Sequence, residues 1–158
     1  MALRQLRLMG DEILSKQSKE IKELNERTLD LIDDMLDTMY ESGGCGLAAV
    51  QVGVLKRIFV VDVTGDNPMV FINPVILEKN GEQTADEGCL SVPGKMGCVI
   101  RPNYIKIKAF DVEMNEFEME AEGFLARAIC HEYDHLNGVL YVSKVEGDLK
   151  NIENKDES

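Results

Sequence analysis

The chain has 158 residues, 44% hydrophobic and 29% charged, a balance that fits one soluble globular domain with a hydrophobic core. Seventeen basic residues against 29 acidic ones leave a net charge of −12. That excludes a broad phosphate-tracking surface and argues against direct nucleic-acid binding, which needs clustered Lys and Arg. No run approaches the roughly 18 apolar residues of a membrane span. The opening MALRQLRLMGDEILSKQSK lacks the apolar core and cleavage site of a signal peptide, so the expected compartment is cytoplasmic.

In chain order, residues 25–41 (NERTLDLIDDMLDTMYE) predict an amphipathic helix capped by Asn25. Leu29, Ile32, Leu36, Met39 and Tyr40 are its expected apolar face, and the glycines of SGGCG stop it. RIFVVDV (57–63) and VFINPVILE (70–78) are β-branched runs around the turn-rich TGDNP. YIKIKAF (104–110) and EFEMEAE (116–122) alternate, and predict an antiparallel hairpin with Lys106 and Lys108 near outward glutamates. The glutamate row reads as a solvated strand face sooner than as a recognition strip.

Residues 123–137 (GFLARAICHEYDHLN) predict a second helix, stopped by Gly138. Phe124, Leu125, Ala126, Ala128, Ile129, Cys130, Tyr133 and Leu136 surround its axis almost completely, the pattern of a buried helix. The closing EGDLKNIENKDES is polar and expected to fray. With no repeat or linker, the expectation is one α+β domain: antiparallel strands packed around a central buried helix.

That helix carries HEYDH (131–135), an HExxH motif, and its two histidines are the only ones in the chain. His131 and His135 lie one turn apart and project to the same side. Glu132 follows by about 100° of rotation, where it can reach a metal-held water. Two buried imidazoles and a carboxylate are costly to desolvate without a cation. A catalytic site needs a third protein ligand and an open position. No histidine follows downstream, and Glu146, the nearest glutamate, sits in a polar segment without helical pattern.

The cysteines at 45, 89, 98 and 130 contain no CxxC pair and read as free thiols or metal ligands. Cys130 points about 100° away from His131, and Cys45 and Cys98 have no neighbouring acid. Cys89, in the turn-flanked DEGCLSVPG, is preferred by elimination. Glu87 and Arg101 could pair in support of that loop, or be surface charges of little weight. Phe124 and Ala128 fall on the helical face of His131 and are candidates for an apolar substrate pocket. Ordinary core packing is an equal reading of Phe124. Two rivals remain, a zincin-type endopeptidase with another third ligand and a non-catalytic metal module closed by four ligands.

Three stretches, GCGLAAVQ (44–51), EGCLS (87–91) and HEYDHLNG (131–138), together resemble peptide deformylase, the bacterial family that removes formyl groups from new protein N-termini. RQLRLMGDEILSKQSKEI, INPVILEKNGEQTADEGCLSVPG, RPNYIKIKAFD and EAEGFLARAI extend the resemblance over most of the chain. It implies a catalytic domain over 1–146, while the polar composition of 147–158 is what predicts a disordered tail there. The resemblance implies Cys89, His131 and His135 as ligands of one divalent metal, commonly Fe(II), with Zn(II), Ni(II) or Co(II) able to substitute. Gln51 and the backbone N–H of Leu90 would meet the oxyanion, and Gly46 would run beside the bound peptide, with Leu47 and the rest of GLAA covering it.

Water on a divalent metal gives hydroxide near neutral pH. By the resemblance, that hydroxide attacks the formyl carbon, while Glu132 takes the proton and returns it to the leaving amine. The implied partners are N-formylmethionyl nascent peptides, with transient ribosome proximity and no membrane. The chain departs from the family at Cys130, often Gln; at Glu12, often Pro; and at the turn DVEMNE, which lacks a glycine.

Overall fold

The structure, a computed structural model, describes residues 2–152. The first helix, α1 (Glu26–Glu41), starts where Asn25 Oδ1 accepts from Thr28 N at 2.9 Å. Its buried face differs from the expected one. Leu31, Ile32, Met35 and Met39 are buried, while Leu29 and Tyr40 are exposed. Taking Met35 as the centre of the stripe, Leu29 and Tyr40 stand about 120° and 140° around the axis, too far to share it.

Two antiparallel sheets follow. The first contains β1 (Gly46–Ala48), β2 (Ile58–Val61) and β3 (Met69–Asn80). The second begins with β4 (Gln83–Cys89) and β5 (Val92–Arg101), after which β6 (Tyr104–Phe110) and β7 (Glu116–Glu122) return to the first. The five-stranded order is β1-β2-β3-β6-β7. The β6–β7 hairpin sets Lys106 opposite Glu120 and Lys108 opposite Glu118, with Lys106 Nζ 3.5 Å from Glu118. The second helix, α2 (Gly123–Leu136), comes next, and β8 (Lys150–Asn151) completes the second sheet in the order β4-β5-β8.

Period-two alternation divides the larger sheet between the helices. Leu47, Ile58, Val60 and Ile72 pack with Met35 and Met39 of α1. Ala48, Phe59, Val61 and Phe71 pack with Ala126, Ile129 and Leu136 of α2. The opposite side of α2 faces the smaller sheet, where Arg127 Nη2 donates to Val99 O at 3.0 Å. The C-terminal carbonyl of Leu136 accepts from Ser18 N at 2.8 Å and from buried Arg57 at 3.1 Å. The α2 helix is thus clamped between two sheets and tied at its end, which fixes the direction of every side chain it carries.

Three features differ from the sequence reading. The segment around Cys89 is a strand hairpin, with a register shift between Glu87 and Cys89. Phe124 is 57% exposed, so the fully apolar surround of α2 breaks at its first turn. Within the tail expected at 147–158, residues 150–151 pair with β5, and 153–158 lie outside the described residues. Among the described residues, no helix is long and apolar enough to cross a membrane.

Candidate metal centre

The candidate third donor that the sequence leaves to elimination, Cys89, is brought to the helix by the β4–β5 hairpin. Cys89 Sγ lies 3.3 Å from His135 Nε2, which lies 3.3 Å from His131 Nε2. All three donor atoms fall within 4.8 Å of one another. A tetrahedral ion about 2.0–2.3 Å from each donor needs donor–donor spacings of roughly 3.3–3.6 Å. A soft thiolate and two imidazoles are a donor set for Zn(II) or Fe(II) chemistry. The residues present therefore fit a divalent transition metal. Burial, with His131 and Arg101 adding to it, holds His135 well below the usual imidazole range, in the neutral form that ligates.

His131 is oriented from behind. Its Nδ1 lies 2.9 Å from Glu87 Oε1, which leaves Nε2 to face the cluster. Glu87 is itself gripped by Arg101, at 2.8 Å and 2.9 Å through two nitrogens, and by Arg127. Burial works against the Glu87 charge, but hydrogen bonds from Arg101 and His131 outweigh it and hold the carboxyl at about 2. Arg101 also donates to Asp134 on α2 at 2.6 Å. Of the two readings of Glu87 and Arg101, the buried support is the one observed. These partners take up the Glu87 carboxylate, although Glu87 is also among the residues that line the adjoining pocket.

Glu132 is buried at the inner end of the adjoining pocket, and no side chain or backbone group hydrogen-bonds its Oε1. Burial pushes its carboxyl up to about 7, with His131 opposing and Glu87 adding. Gly46 makes room for it: a Cβ there would stand 2.5 Å from Glu132 Oε2. Gln51, buried beside the cluster, has its side-chain oxygen fixed by Ala48 N at 2.9 Å. Its Nε2 lies 3.1 Å from Ser91 Oγ and 3.5 Å from Cys89 Sγ.

The pocket has a volume of about 470 Å³, and Gly46, Gln51, Leu90, Phe124 and Ala128 are among its walls. Leu47 is not. Fully buried on β1, it points into the α1 side of the sheet, because the pleat turns alternate residues to opposite faces. Cys130 packs into the core on α2 and is not part of the three-donor cluster; burial pushes its thiol up to about 11. The sequence reading passed over Arg127 and Ser91. The signal for Arg127 was a charged residue on a helix read as buried, since such a residue requires a buried counter-charge.

The sequence profile of polypeptide deformylase matches residues 3–151. The chain belongs to the polypeptide deformylase family. A peptide deformylase of Lachnoclostridium phytofermentans is 59% identical over 99% of this chain and 98% of its own length. Peptide deformylase 1 of Clostridium perfringens is 60% identical over 90% of this chain and 97% of its own. Among solved structures, the Thermotoga maritima peptide deformylase superposes with a TM-score of 0.89 at 40% identity, covering 92% of this chain and 99% of that one. As a deformylase, the chain is a metal-dependent hydrolase that removes N-formyl groups.

Proposed function

We propose that this deformylase acts on N-formylmethionyl nascent peptides, with Cys89, His131 and His135 holding one divalent ion and Glu132 as general acid and base. The observation that carries the reading is Glu132, buried with one oxygen free of protein partners, beside a three-donor cluster at the inner end of one pocket. A bound divalent ion supplies Lewis acidity and lowers the pKa of a water. Glu132 takes the proton of the attacking water and later gives it to the leaving amine. The Gln51 Nε2 and the Leu90 N–H stabilise the oxyanion. Each such donor contributes about 2.7–4 kcal/mol in comparable sites.

Both β1 and β4 are edge strands, and Gly46 and Cys89 from them line the pocket. An extended peptide fits between such edges by main-chain hydrogen bonding. Ala128 and Phe124, on the α2 wall, receive the methionine side chain. Residues 1–146, which contain every ligand and Glu132, form the catalytic domain. The native ion is Fe(II), which suits a thiolate-containing set, and Zn(II), Ni(II) or Co(II) substitute. The substrate places the reaction in the cytoplasm and transiently near the ribosome, without nucleic-acid or membrane contact.

The test is formate release from a formyl-Met peptide by anaerobically purified, Fe(II)-loaded protein, beside a Cys89→Ser variant. Formate from the parent, none from unformylated peptide and a variant that loses metal and turnover together support the assignment. Internal cleavage of an unformylated peptide without formate release contradicts it.

A further inference from the structure

We propose that Ile152, delivered by β8, forms with Phe124 and Pro93 an apolar outer subsite for the side chain of the third residue of the formylated peptide. The inference rests on the formylmethionyl reading above and extends it to sequence preference.

The segment carrying Ile152 is bound along β5 by backbone pairing. Val145 bridges Val99, and Glu146 N donates to Cys98 O at 2.7 Å. Lys150 and Asn151 then pair with Met96 and Lys95, and Ile152 N donates to Gly94 O at 2.9 Å. The seat is close. A Cβ on Gly97 would stand 2.6 Å from Val145 Cγ2 and 3.3 Å from Leu149 Cδ2. The place of Ile152 is therefore set by the ladder and by a glycine that lets the segment approach.

Ile152 is 48% exposed and Phe124 is 57% exposed, yet both line the pocket that holds Cys89, His131 and Glu132. Along its walls, burial falls from His131, Glu132 and Ala128 at the inner end to Phe124, Pro93 and Ile152 at the mouth. Large apolar side chains left in water at the mouth of a reactive pocket gain when an apolar group covers them. The occupant follows from continuity with that pocket. In an extended peptide, side chains alternate, so the third residue returns to the methionine side about 7 Å farther out. An apolar third residue thus meets Ile152, with Phe124 shared between it and the methionine, which lies against Ala128.

The experiment compares kcat/KM for formyl-Met-Ala, for formyl-Met-Ala-X with X as Leu, Ser or Glu, and for the matching series varied at the second residue. The metal-loaded parent, Ile152→Ala and Ile152→Glu are measured together. The parent is expected to favour Leu over Ser at the third residue by about tenfold. Ile152→Ala removes most of that preference through KM, and Ile152→Glu removes it entirely. Turnover of formyl-Met-Ala stays equal in all three proteins. A third-residue preference that is absent from the parent, that survives both variants, or that resides at the second residue overturns the subsite. So does an equal loss on formyl-Met-Ala and the longer peptides. Silence of the parent on every formylated peptide instead overturns the formylmethionyl reading, and the subsite with it.

Discussion

Glu87 holds His131 from behind, its Oε1 2.9 Å from Nδ1, while Arg101 grips both carboxylate oxygens. The imidazole is thereby set with Nε2 toward Cys89 and His135. A carboxylate in this position fixes tautomer and ring orientation and raises ligand basicity. Glu87→Gln is expected to weaken metal affinity about 10–100-fold while leaving the three ligands in place. Competition with a chromophoric chelator measures it, and an unchanged affinity contradicts the support role.

The same carboxylate ties stability to acid. Its folded pKa of about 2 lies below its ordinary 4.5, so its contribution is complete above the ordinary value. As pH falls from there through the folded value, the contribution disappears. Urea unfolding of parent and Glu87→Gln, each stripped of metal by a chelator, should therefore show a stability gap that narrows below about pH 4.5. A gap independent of pH shows that the Glu87 charge does not carry the effect.

Gly46 leaves no space for a side chain beside the Glu132 carboxylate, since a Cβ would come within 2.5 Å of Glu132 Oε2. Gly46→Ala is expected to displace Glu132 and lower kcat at least about 100-fold, a scale set by general acid–base catalysis. Metal content stays unchanged. Steady-state kinetics with metal analysis on the same sample separates this from loss of the ion.

Gln51 is pre-aimed by its bonds to Ala48 and Ser91. Gln51→Ala should cost about 100- to 1,000-fold in kcat, the scale of one oxyanion donor. A change confined to KM, read from full saturation curves, assigns Gln51 to ground-state binding instead.

Much of this was legible in the sequence where local chemistry decides the outcome. Asn25 marked the start of α1, alternation marked β6 and β7, and spacing alone put His131 and His135 on one helix face with Glu132 beside it. Cys89 came by elimination and then by resemblance, because no local pattern shows that a hairpin turn meets a helix more than 40 residues later. The β4–β5 hairpin was missed because its glycines and charges, from Gln83 to Arg101, obscure the strand alternation. The role of Arg127 was illegible for a related reason. Its partners, Glu87 and Val99, sit on strands that only tertiary packing brings to the helix. Leu47 was misplaced by one step of the pleat, which is enough to turn a side chain from pocket to core.

The most direct test of the account is the Glu132→Gln enzyme, assayed for bound metal and for formate release from a formyl-Met peptide in the same preparation. The carboxamide keeps the shape of the side chain and removes its capacity to take a proton. One divalent ion per chain, with kcat lowered by about 100- to 10,000-fold, is the expected result. Formate release at the parent rate with the ion in place would show that the proton moves by another group.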